Sequence, residues 1–307
     1  MSESLRGGVI GAGVFGAYHA RQYARLSGVD LAAVYDPHPE RAAALAMPLG
    51  GRAFATLEEF LEAVDVVTVA SPAAWHAEQA LAAVKAGKPV YIEKPIATDV
   101  AKADAVAQEA ARRNLVVACG HQERVLFQIM GLFDIPAQPL RLEAVRHGTV
   151  SDRSLDVSVV LDLMIHDLDL ALALSSAAPA TAEGEGAILR SASWDVARSE
   201  VTFDDGFTAL FDVSRVAEAR RRTMKLVYPS GELEIDFLTR EFRNTTGFAL
   251  NADFAETPAA KDTLGASIEA FLAAVRGEAP RPIVTAAEAI AALDLALAVE
   301  QGLAAGA

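Results

Sequence analysis

A carboxylate and an imidazole stand four positions apart, as Asp162 and His166, in a largely apolar segment that also contains Asp167 and Asp169. If this segment is a helix, the two side chains project from the same face and can converge on one ligand. Imidazole titrates near neutral pH, so His166 is a candidate acid or base, and Asp162 would orient a ligand hydroxyl or the imidazole. A second interpretation stays open, in which Asp162 stabilises a helix N-terminus and His166 is a hydrogen-bonded core residue.

Three glycines near the N-terminus have the spacing of a dinucleotide-binding turn, Gly11-x-Gly13-x-x-Gly16. They follow a predicted strand and open a predicted helix, which is the context that this motif requires. Gly11 permits the tight turn, Gly13 lets the backbone approach a pyrophosphate, and Gly16 allows the helix to pack closely on the strand. The helix begins at Val14 and Phe15, and its first amides offer donors and positive potential to phosphates. A glycine-rich turn without a ligand is the alternative.

Asp36 lies at the end of the second predicted strand, 20 positions after Gly16. A carboxylate there can accept hydrogen bonds from the adenosine ribose hydroxyls, and its charge repels a 2′-phosphate. Pro37 and His38 follow, so we expect NAD and consider NADP less favoured, although Arg41 softens that preference. The alternative is a turn carboxylate, which Pro37 would favour.

The elements that must position these residues can be predicted from periodicity. Over 1–120, short β-branched runs alternate with alanine-rich amphipathic segments, which is typical of βαβ units on a doubly wound parallel sheet. We expect an α/β Rossmann domain there. Its predicted strands are 8–10, 31–35, 66–70, 90–92 and 116–118. Its predicted helices are 17–26, 39–46, 57–63, 75–86 and 99–113.

Residues 121–307 have a different pattern, which predicts an α+β domain for substrate binding and oligomerisation. Short turns join several of the predicted strands, so we expect a mostly antiparallel open sheet. One long helix over 159–175 would carry Asp162 and His166. The segment 244–262 is a candidate mobile loop, and two closing helices are candidates for docking on the first domain. The predicted strands are 141–150, 188–190, 193–203, 207–213, 223–228 and 231–236, and the closing helices are 264–276 and 286–302.

The totals exclude several classes of protein. With 307 residues, 52% apolar and 22% charged, the chain suits two globular domains and is neither disordered nor fibrous. A net charge of −14 opposes nucleic-acid binding. Cys119 is the single cysteine, which excludes a disulfide framework and a cysteine-rich zinc site. No segment is apolar enough to cross a membrane, so we expect a soluble, cytoplasmic protein with a small-molecule ligand.

Two further motifs join the glycine turn and the Asp162-x-x-x-His166 pair. They are Ser71-Pro72-x-x-Trp75-His76 after the third long strand and Glu93-Lys94-Pro95 after the next. In this order the four motifs resemble the glucose-fructose oxidoreductase/inositol dehydrogenase/MocA-like family over nearly the whole chain. The resemblance implies an NAD(P)-dependent dehydrogenase or reductase that transfers hydride between nicotinamide and a secondary alcohol of a sugar-like substrate.

The resemblance also implies roles for individual residues. Lys94 would touch both the nicotinamide side and the substrate hydroxyl, where a cation stabilises developing alkoxide charge. Taken alone, Lys94 has the interpretation of a solvated loop lysine. Asp162 and His166 would complete the catalytic and substrate-binding set. Further cofactor contacts are implied for Ser71, Pro72, Trp75, His76 and Glu93, with core packing as the alternative for Trp75 and His76.

Two segments, 120–124 and 156–169, resemble family members that act on nucleotide sugars, including UDP-N-acetylglucosamine 3-dehydrogenases. A nucleotide sugar is therefore the leading expectation, and a free polyol or aldose of the inositol type is the alternative. Arg124, a predicted substrate-binding residue, and also Arg146 and Arg153 are candidates to hold a substrate diphosphate. Ordinary surface charge is an equally weighted interpretation of all three.

Other interpretations compete with catalysis. The family architecture also resembles regulators that sense a dinucleotide and a sugar, but the retention of Lys94, Asp162 and His166 argues against that class. A metal at Asp162, His166, Asp167 and Asp169 is not expected, since Asp167 points away from the shared face and hydride transfer needs no metal. The open sheet needs a cover on its outer face, so we expect a homodimer or homotetramer. The sequence does not set the direction of the reaction.

Overall fold

The computed structural model describes residues 4–151 and 155–305, and Arg153 lies outside these ranges. The chain divides into two units. The first comprises Met1–Gln122 and Asp262–Ile290, and the second comprises Glu123–Lys261 and Ala291–Ala307. Across the described ranges, none of the helices combines the length and the apolar character needed to cross a bilayer.

Six parallel strands form the centre of the first unit. They are β1 (Leu5–Ile10), β2 (Val29–Tyr35), β3 (Arg52–Phe54), β4 (Val66–Val69), β5 (Val90–Ile92) and β6 (Val117–Cys119). Their order in the sheet is β3-β2-β1-β4-β5-β6, which reverses direction between β1 and β4. This is the strand order of a dinucleotide-binding Rossmann domain, and the ligand crevice of such sheets lies at the reversal. The predicted fold class of this unit is confirmed.

Helices follow the strands of this sheet. They are α1 (Val14–Arg25), α2 (Pro39–Ala46), α3 (Leu57–Glu62), α4 (His76–Lys85) and α5 (Val100–Arg113). Local signals set their ends, because Thr56 caps α3 by accepting from the Glu59 amide at 3.3 Å and Asp99 caps α5 by accepting from the Lys102 amide at 2.9 Å. Asn114 ends α5 in the left-handed conformation.

The second unit contains an eight-stranded sheet. Its strands are β7 (Arg141–His147), β8 (Pro179–Ala187), β9 (Val196–Phe203), β10 (Thr208–Ser214), β11 (Arg221–Tyr228), β12 (Gly231–Asp236), β13 (Phe242–Asn244) and β14 (Leu303–Ala305). The order is β13-β12-β11-β7-β10-β9-β8-β14, in which β10 with β7 and β14 with β8 are the parallel pairs. The expected mostly antiparallel sheet is confirmed. Residues alternate along each strand, so that Leu142, Ala144 and Arg146 of β7 face the interior.

Several predicted elements of the second unit are corrected. Residues 188–190 form a loop and not a strand, while β8 was not predicted. The long helix expected over 159–175 consists of a π-helical turn, Val160–Met164, followed by α7 (Ile165–Leu174). Helix α6 (Glu123–Met130) was also missed. The segment 244–262 contains a short 3-10 turn, Phe254–Glu256, and α8 (Pro258–Lys261).

Two further helices, α9 (Thr263–Val275) and α10 (Ala286–Gly302), precede the last strand, β14. Helix α9 lies in the first unit, where Phe271 and Leu272 are part of the same buried cluster as Tyr23 and Tyr91. The Tyr91 hydroxyl lies 3.0 Å from the Ser267 hydroxyl, and the Tyr91 and Phe271 rings meet edge to face at 5.9 Å. A distant part of the sequence therefore completes the core of the Rossmann unit.

Candidate functional site

The glycine turn joins β1 to α1 in a form that only glycines tolerate. Gly11 has a φ of +100°, and a side chain there would also strike the backbone of Ala70 and Ser71 at 2.8 Å. A Cβ at Gly16 would collide with the carbonyl of Gly11. Beside Gly13, by contrast, no described atom lies within 4 Å of the place that a Cβ would take. The turn thus leaves an open position at the start of the helix.

The N-terminus of α1 is available to an anion. Gly13 is the N-cap residue of α1 and has no side chain that could accept a hydrogen bond from the amides of the first turn. The first turn also carries no acidic residue. The first amides and the positive end of the helix dipole therefore point into this open position. Val14 and Phe15 of the first turn are 51% and 40% exposed. This arrangement matches the way in which helix N-termini bind phosphate groups.

Asp36 is fixed in place at the end of β2. Its Oδ2 accepts a hydrogen bond from the Ala12 amide at 2.8 Å, and its Oδ1 accepts one from the His38 amide at 2.9 Å. These two bonds tie the carboxylate to the glycine turn on one side and to the following loop on the other. The side chain is buried at the wall of a cavity, which is where a ribose-binding carboxylate has to be.

A cavity of about 540 Å³ lies beside the glycine turn, within the size range of small-molecule sites. Six of the predicted cofactor residues line it, and Arg41 and His38 also contribute to its wall. Trp75 is 53% exposed there, which leaves an aromatic face open to a ligand. The open glycine position, the uncapped helix and the oriented carboxylate fit a dinucleotide. The six residues are Gly11, Gly13, Asp36, Ser71, Pro72 and Trp75.

His76 is buried and links two loops of the first unit. Its Nδ1 lies 2.7 Å from the carbonyl oxygen of Pro95, and its Nε2 lies 2.8 Å from the carbonyl oxygen of Ser71. Burial lowers the pKa of His76, and the two carbonyls oppose that change. The structure thus places His76 behind the cavity wall, where it fixes Ser71 and Pro95 relative to each other.

Glu93 is also buried and holds the loop that presents Lys94. Its Oε1 lies 2.7 Å from His19 Nε2, and its Oε2 accepts a hydrogen bond from the Lys94 amide at 3.3 Å. Burial would raise the pKa of Glu93, but the hydrogen bond and the charge of His19 lower it below the ordinary value. Glu93 therefore stays ionised and anchors the backbone of Lys94, whose side chain is half-buried.

In the second unit, Asp162 lies in the π-helical turn and His166 in the first turn of α7. The π turn is closed by a hydrogen bond from the Ile165 amide to the Val160 carbonyl, and such turns are frequent at functional sites. Both side chains are half-buried. His166 Nδ1 lies 2.8 Å from Glu123 Oε2, so one ring nitrogen is held by a carboxylate.

Glu123 belongs to a buried charge network that the sequence did not indicate. Its Oε1 accepts from Arg146 Nη1 at 2.8 Å, while Asp167 accepts from Nε and Nη2 of the same guanidinium at 2.9 and 2.7 Å. Burial opposes ionisation of Glu123, but His166 and Arg146 hold its pKa well below the usual range. The imidazole thus has a permanently charged, rigid partner. The one signal for it in the sequence is a glutamate that begins an apolar segment, ERVLFQIM.

The predicted diphosphate ligands Arg124 and Arg146 have other partners. Arg124 is 6% exposed and forms a two-bond pair with Asp169, at 2.7 Å for each bond. Arg146 is 2% exposed and is neutralised by Glu123 and Asp167. Both guanidinium groups are therefore structural, and neither is surface charge. Substrate binding by Arg124 stays a prediction, and the structure shows that Asp167 and Asp169 each pair with an arginine.

Comparisons with known proteins agree with this geometry. The family model described as "Oxidoreductase family, NAD-binding Rossmann fold", GFO_IDH_MocA, matches residues 5–121. The chain is 37% identical over 284 residues to UDP-N-acetylglucosamine 3-dehydrogenase of Acidithiobacillus ferrooxidans, covering 90% of each protein. A solved structure of that dehydrogenase superposes with a TM-score of 0.91 at 34% identity over 98% of both chains. The chain is also 34% identical over 176 residues to inositol 2-dehydrogenase of Cereibacter sphaeroides, covering 54% of this chain and 53% of the relative.

Proposed function

Because the chain belongs to the GFO/IDH/MocA family of NAD-binding oxidoreductases, we propose that it transfers hydride between NAD and the 3-hydroxyl of UDP-N-acetylglucosamine. The observation that carries the proposal is the 37% identity across 90% of both chains to a dehydrogenase of that substrate. The paired imidazole of His166 adds a chemical reason, because an alcohol loses hydride only as its hydroxyl proton departs.

The first unit supplies the cofactor site in this proposal. Amides at the start of α1 bind the pyrophosphate beside Gly13, and Asp36 accepts hydrogen bonds from the adenosine ribose. Trp75, which lines the same cavity and is largely exposed, would contact the cofactor there. NAD supplies the hydride acceptor, and a carboxylate at Asp36 disfavours the 2′-phosphate of NADP.

The proton and the developing charge are handled by the chain itself. His166 takes the hydroxyl proton, and Glu123, whose Oε2 lies 2.8 Å from Nδ1, orients the ring. Lys94 stabilises the alkoxide as the proton leaves, and Glu93 and His76 fix the loop on which Lys94 lies. Asp162 orients the sugar hydroxyls. In the reverse direction the same imidazolium returns the proton to a carbonyl oxygen.

Two other functions are alternatives to this one. A polyol or aldose dehydrogenase is favoured by the 34% identity to an inositol 2-dehydrogenase, although over about half of each chain. A regulator that binds NAD and a sugar without turnover is disfavoured by the presence of Lys94, Asp162 and His166 together.

Reduction of NAD by purified protein tests the proposal directly. UDP-N-acetylglucosamine and myo-inositol are compared as substrates while the absorbance of reduced nicotinamide is followed. We expect reduction with the nucleotide sugar, and tight NAD binding without reduction by any sugar would instead support a regulator. Replacement of Lys94 or His166 by alanine should lower turnover by about 10²-fold or more and leave NAD affinity nearly intact.

Matched controls for these variants are available on the surface. Lys102→Ala removes an exposed lysine of α5, and His147→Ala removes an imidazole on the outer face of the second sheet. Both controls should retain wild-type turnover. A Lys94 or His166 variant as active as its control would refute the catalytic role assigned to that residue.

We further propose that the protein is a cytoplasmic homodimer or homotetramer. A single buried cysteine suits a reducing compartment. The outer face of the eight-stranded sheet carries half-buried apolar residues such as Val145 and Leu210 among charges of both signs. A second copy is the partner that would cover it, as in other symmetric oligomers.

A further inference from the structure

An arginine that has no ion-pair partner within 4–151 and 155–305 lies next to the charge network around His166. Arg222 is the second residue of β11, and its partner across the antiparallel ladder is Arg146 of β7. Directly opposite residues on neighbouring strands have their side chains on one face, so two guanidinium groups are placed together. Like charges opposed in this way destabilise a sheet unless anions compensate them.

The carboxylates nearby compensate only Arg146. Both oxygens of Asp167 accept from the Arg146 guanidinium. Glu123 gives one oxygen to Arg146 and holds His166 with the other. No acceptor in the two described ranges forms an ion pair or a hydrogen bond with the side chain of Arg222. Among the described residues, the Arg222 guanidinium is therefore left without an anion in direct contact, although the carboxylates of the network lie on the same side of the sheet.

Arg222 is also partly withdrawn from water, which makes a charge without a directly bonded anion costly. Burial, and then the positive charge of Arg146, lower the pKa of Arg222, and Arg220 acts in the same direction. Glu123 and Asp167 oppose this change without making a direct bond. A half-buried arginine persists in such a place at an energetic cost, and a bound anion would remove that cost.

We propose that Arg222 is a phosphate-binding residue of the substrate site and holds the diphosphate of a nucleotide sugar on the side of the sheet that carries Glu123 and His166. The inference rests on the proposed function and adds to it the group that selects a nucleotide sugar over a free sugar. A guanidinium fork matches two phosphate oxygens, and Arg220, which is exposed, adds a second cation. Arg222 differs in this respect from Arg124 and Arg146, whose guanidinium groups are paired with carboxylates.

The test compares Arg222→Gln with Arg221→Gln in NAD-saturated protein. Arg221 is the neighbouring residue, exposed, and strand alternation places it on the opposite face of the sheet. Calorimetric titrations with UDP and with uridine separate phosphate binding from base binding. We expect Arg222→Gln to weaken UDP binding about tenfold or more and to leave uridine binding unchanged. Arg221→Gln should bind UDP like the wild type.

Equal UDP affinity in the two variants would overturn the proposal. If Arg222→Gln does not fold, Arg222→Lys keeps the charge without the fork and should still bind UDP several-fold more weakly than the wild type; wild-type affinity in that variant would also overturn it. The substrate proposal and the phosphate-site proposal can be rejected independently of each other. Arg222-dependent UDP binding without oxidation of UDP-N-acetylglucosamine would retain the phosphate site and reject that substrate. Oxidation of UDP-N-acetylglucosamine with the same KM in Arg222→Gln and in the wild type would retain that substrate and reject the phosphate site.

Discussion

The orientation of a catalytic imidazole depends on the group that contacts the ring nitrogen not used for catalysis. Here that group is Glu123, which is itself fixed by Arg146 and whose Oε2 lies 2.8 Å from Nδ1 of His166, so that the carboxylate orients the imidazole. A negative charge at this distance also favours the protonated ring. Glu123 is a positioning residue in this proposal, since it acts on the substrate only through His166.

Replacing Glu123 by glutamine keeps the shape of the side chain and removes its charge. The imidazole then binds a proton less strongly, so the acid side of the pH profile of kcat/KM should move to lower pH. The plateau rate should fall because a weaker base accepts the hydroxyl proton less readily. Steady-state rates across pH check both effects, with Glu256→Gln at an exposed position as the control. A profile that coincides with the wild type would remove Glu123 from the mechanism.

At the scale of elements, the loop between β8 and β9 is organised by one carboxylate. Asp195 Oδ2 accepts hydrogen bonds from the amides of Leu189, Arg190 and Ser191, at 2.7, 2.5 and 2.9 Å. Burial would raise the pKa of Asp195, but these donors lower it from 3.8 to about 2. The charged carboxylate therefore stabilises the folded loop at neutral pH.

Asp195→Asn should destabilise the protein by about 2 kcal/mol at pH 7, the equivalent of that pKa change. A group whose pKa is depressed on folding gives its full stabilisation above the unfolded value of 3.8 and loses it as the pH falls through about 2. The difference from the wild type should accordingly shrink between pH 4 and pH 2. Urea unfolding across this range measures it, and Asp204→Asn, in an exposed turn, serves as the control. A difference that is constant with pH would exclude the charge as its cause.

The same loop and the strand before it were not predicted correctly from the sequence. The segment 188–190 was predicted as a strand, but the amides of Leu189 and Arg190 donate to the side chain of Asp195 and not to a neighbouring strand. Strand β8 has the sequence PATAEGEGA, in which every residue type except threonine is depleted in strands, and it forms because β9 pairs with it. Both errors come from partners that lie outside the local segment.

The glycine turn and Asp36, unlike these elements, could be placed from the sequence. The glycine turn and Asp36 are specified by local geometry, so their positions at one cavity follow from the order of strand, turn and helix. The roles of Arg124 and Arg146 depend on Asp169 and Asp167, which are 45 and 21 positions away. A single sequence does not reveal such pairings, and Glu123 was missed for the same reason.

At the scale of the whole molecule, the outer face of the second sheet determines the proposed state of association. Ion pairs cross this face, including Lys225 with Glu232 at 2.8 Å and His147 with Asp212 at 2.9 Å. Leu210 lies half-buried among them on β10, in a strand near the middle of the sheet. Apolar surface surrounded by charges of both signs is suited to a self-complementary contact around a two-fold axis.

Light scattering on the purified protein should therefore give two or four times the chain mass of 32.3 kDa. Leu210→Glu would place an unpaired charge in the buried contact and should shift the mass toward that of one chain. Leu238→Glu is a suitable control, because Leu238 is an exposed apolar residue in the turn after β12 and off the ladder of paired strands. It should leave the mass unchanged. A wild-type protein that scatters as a single chain at micromolar concentration would exclude association through this face, and the sheet would then be covered by solvent alone.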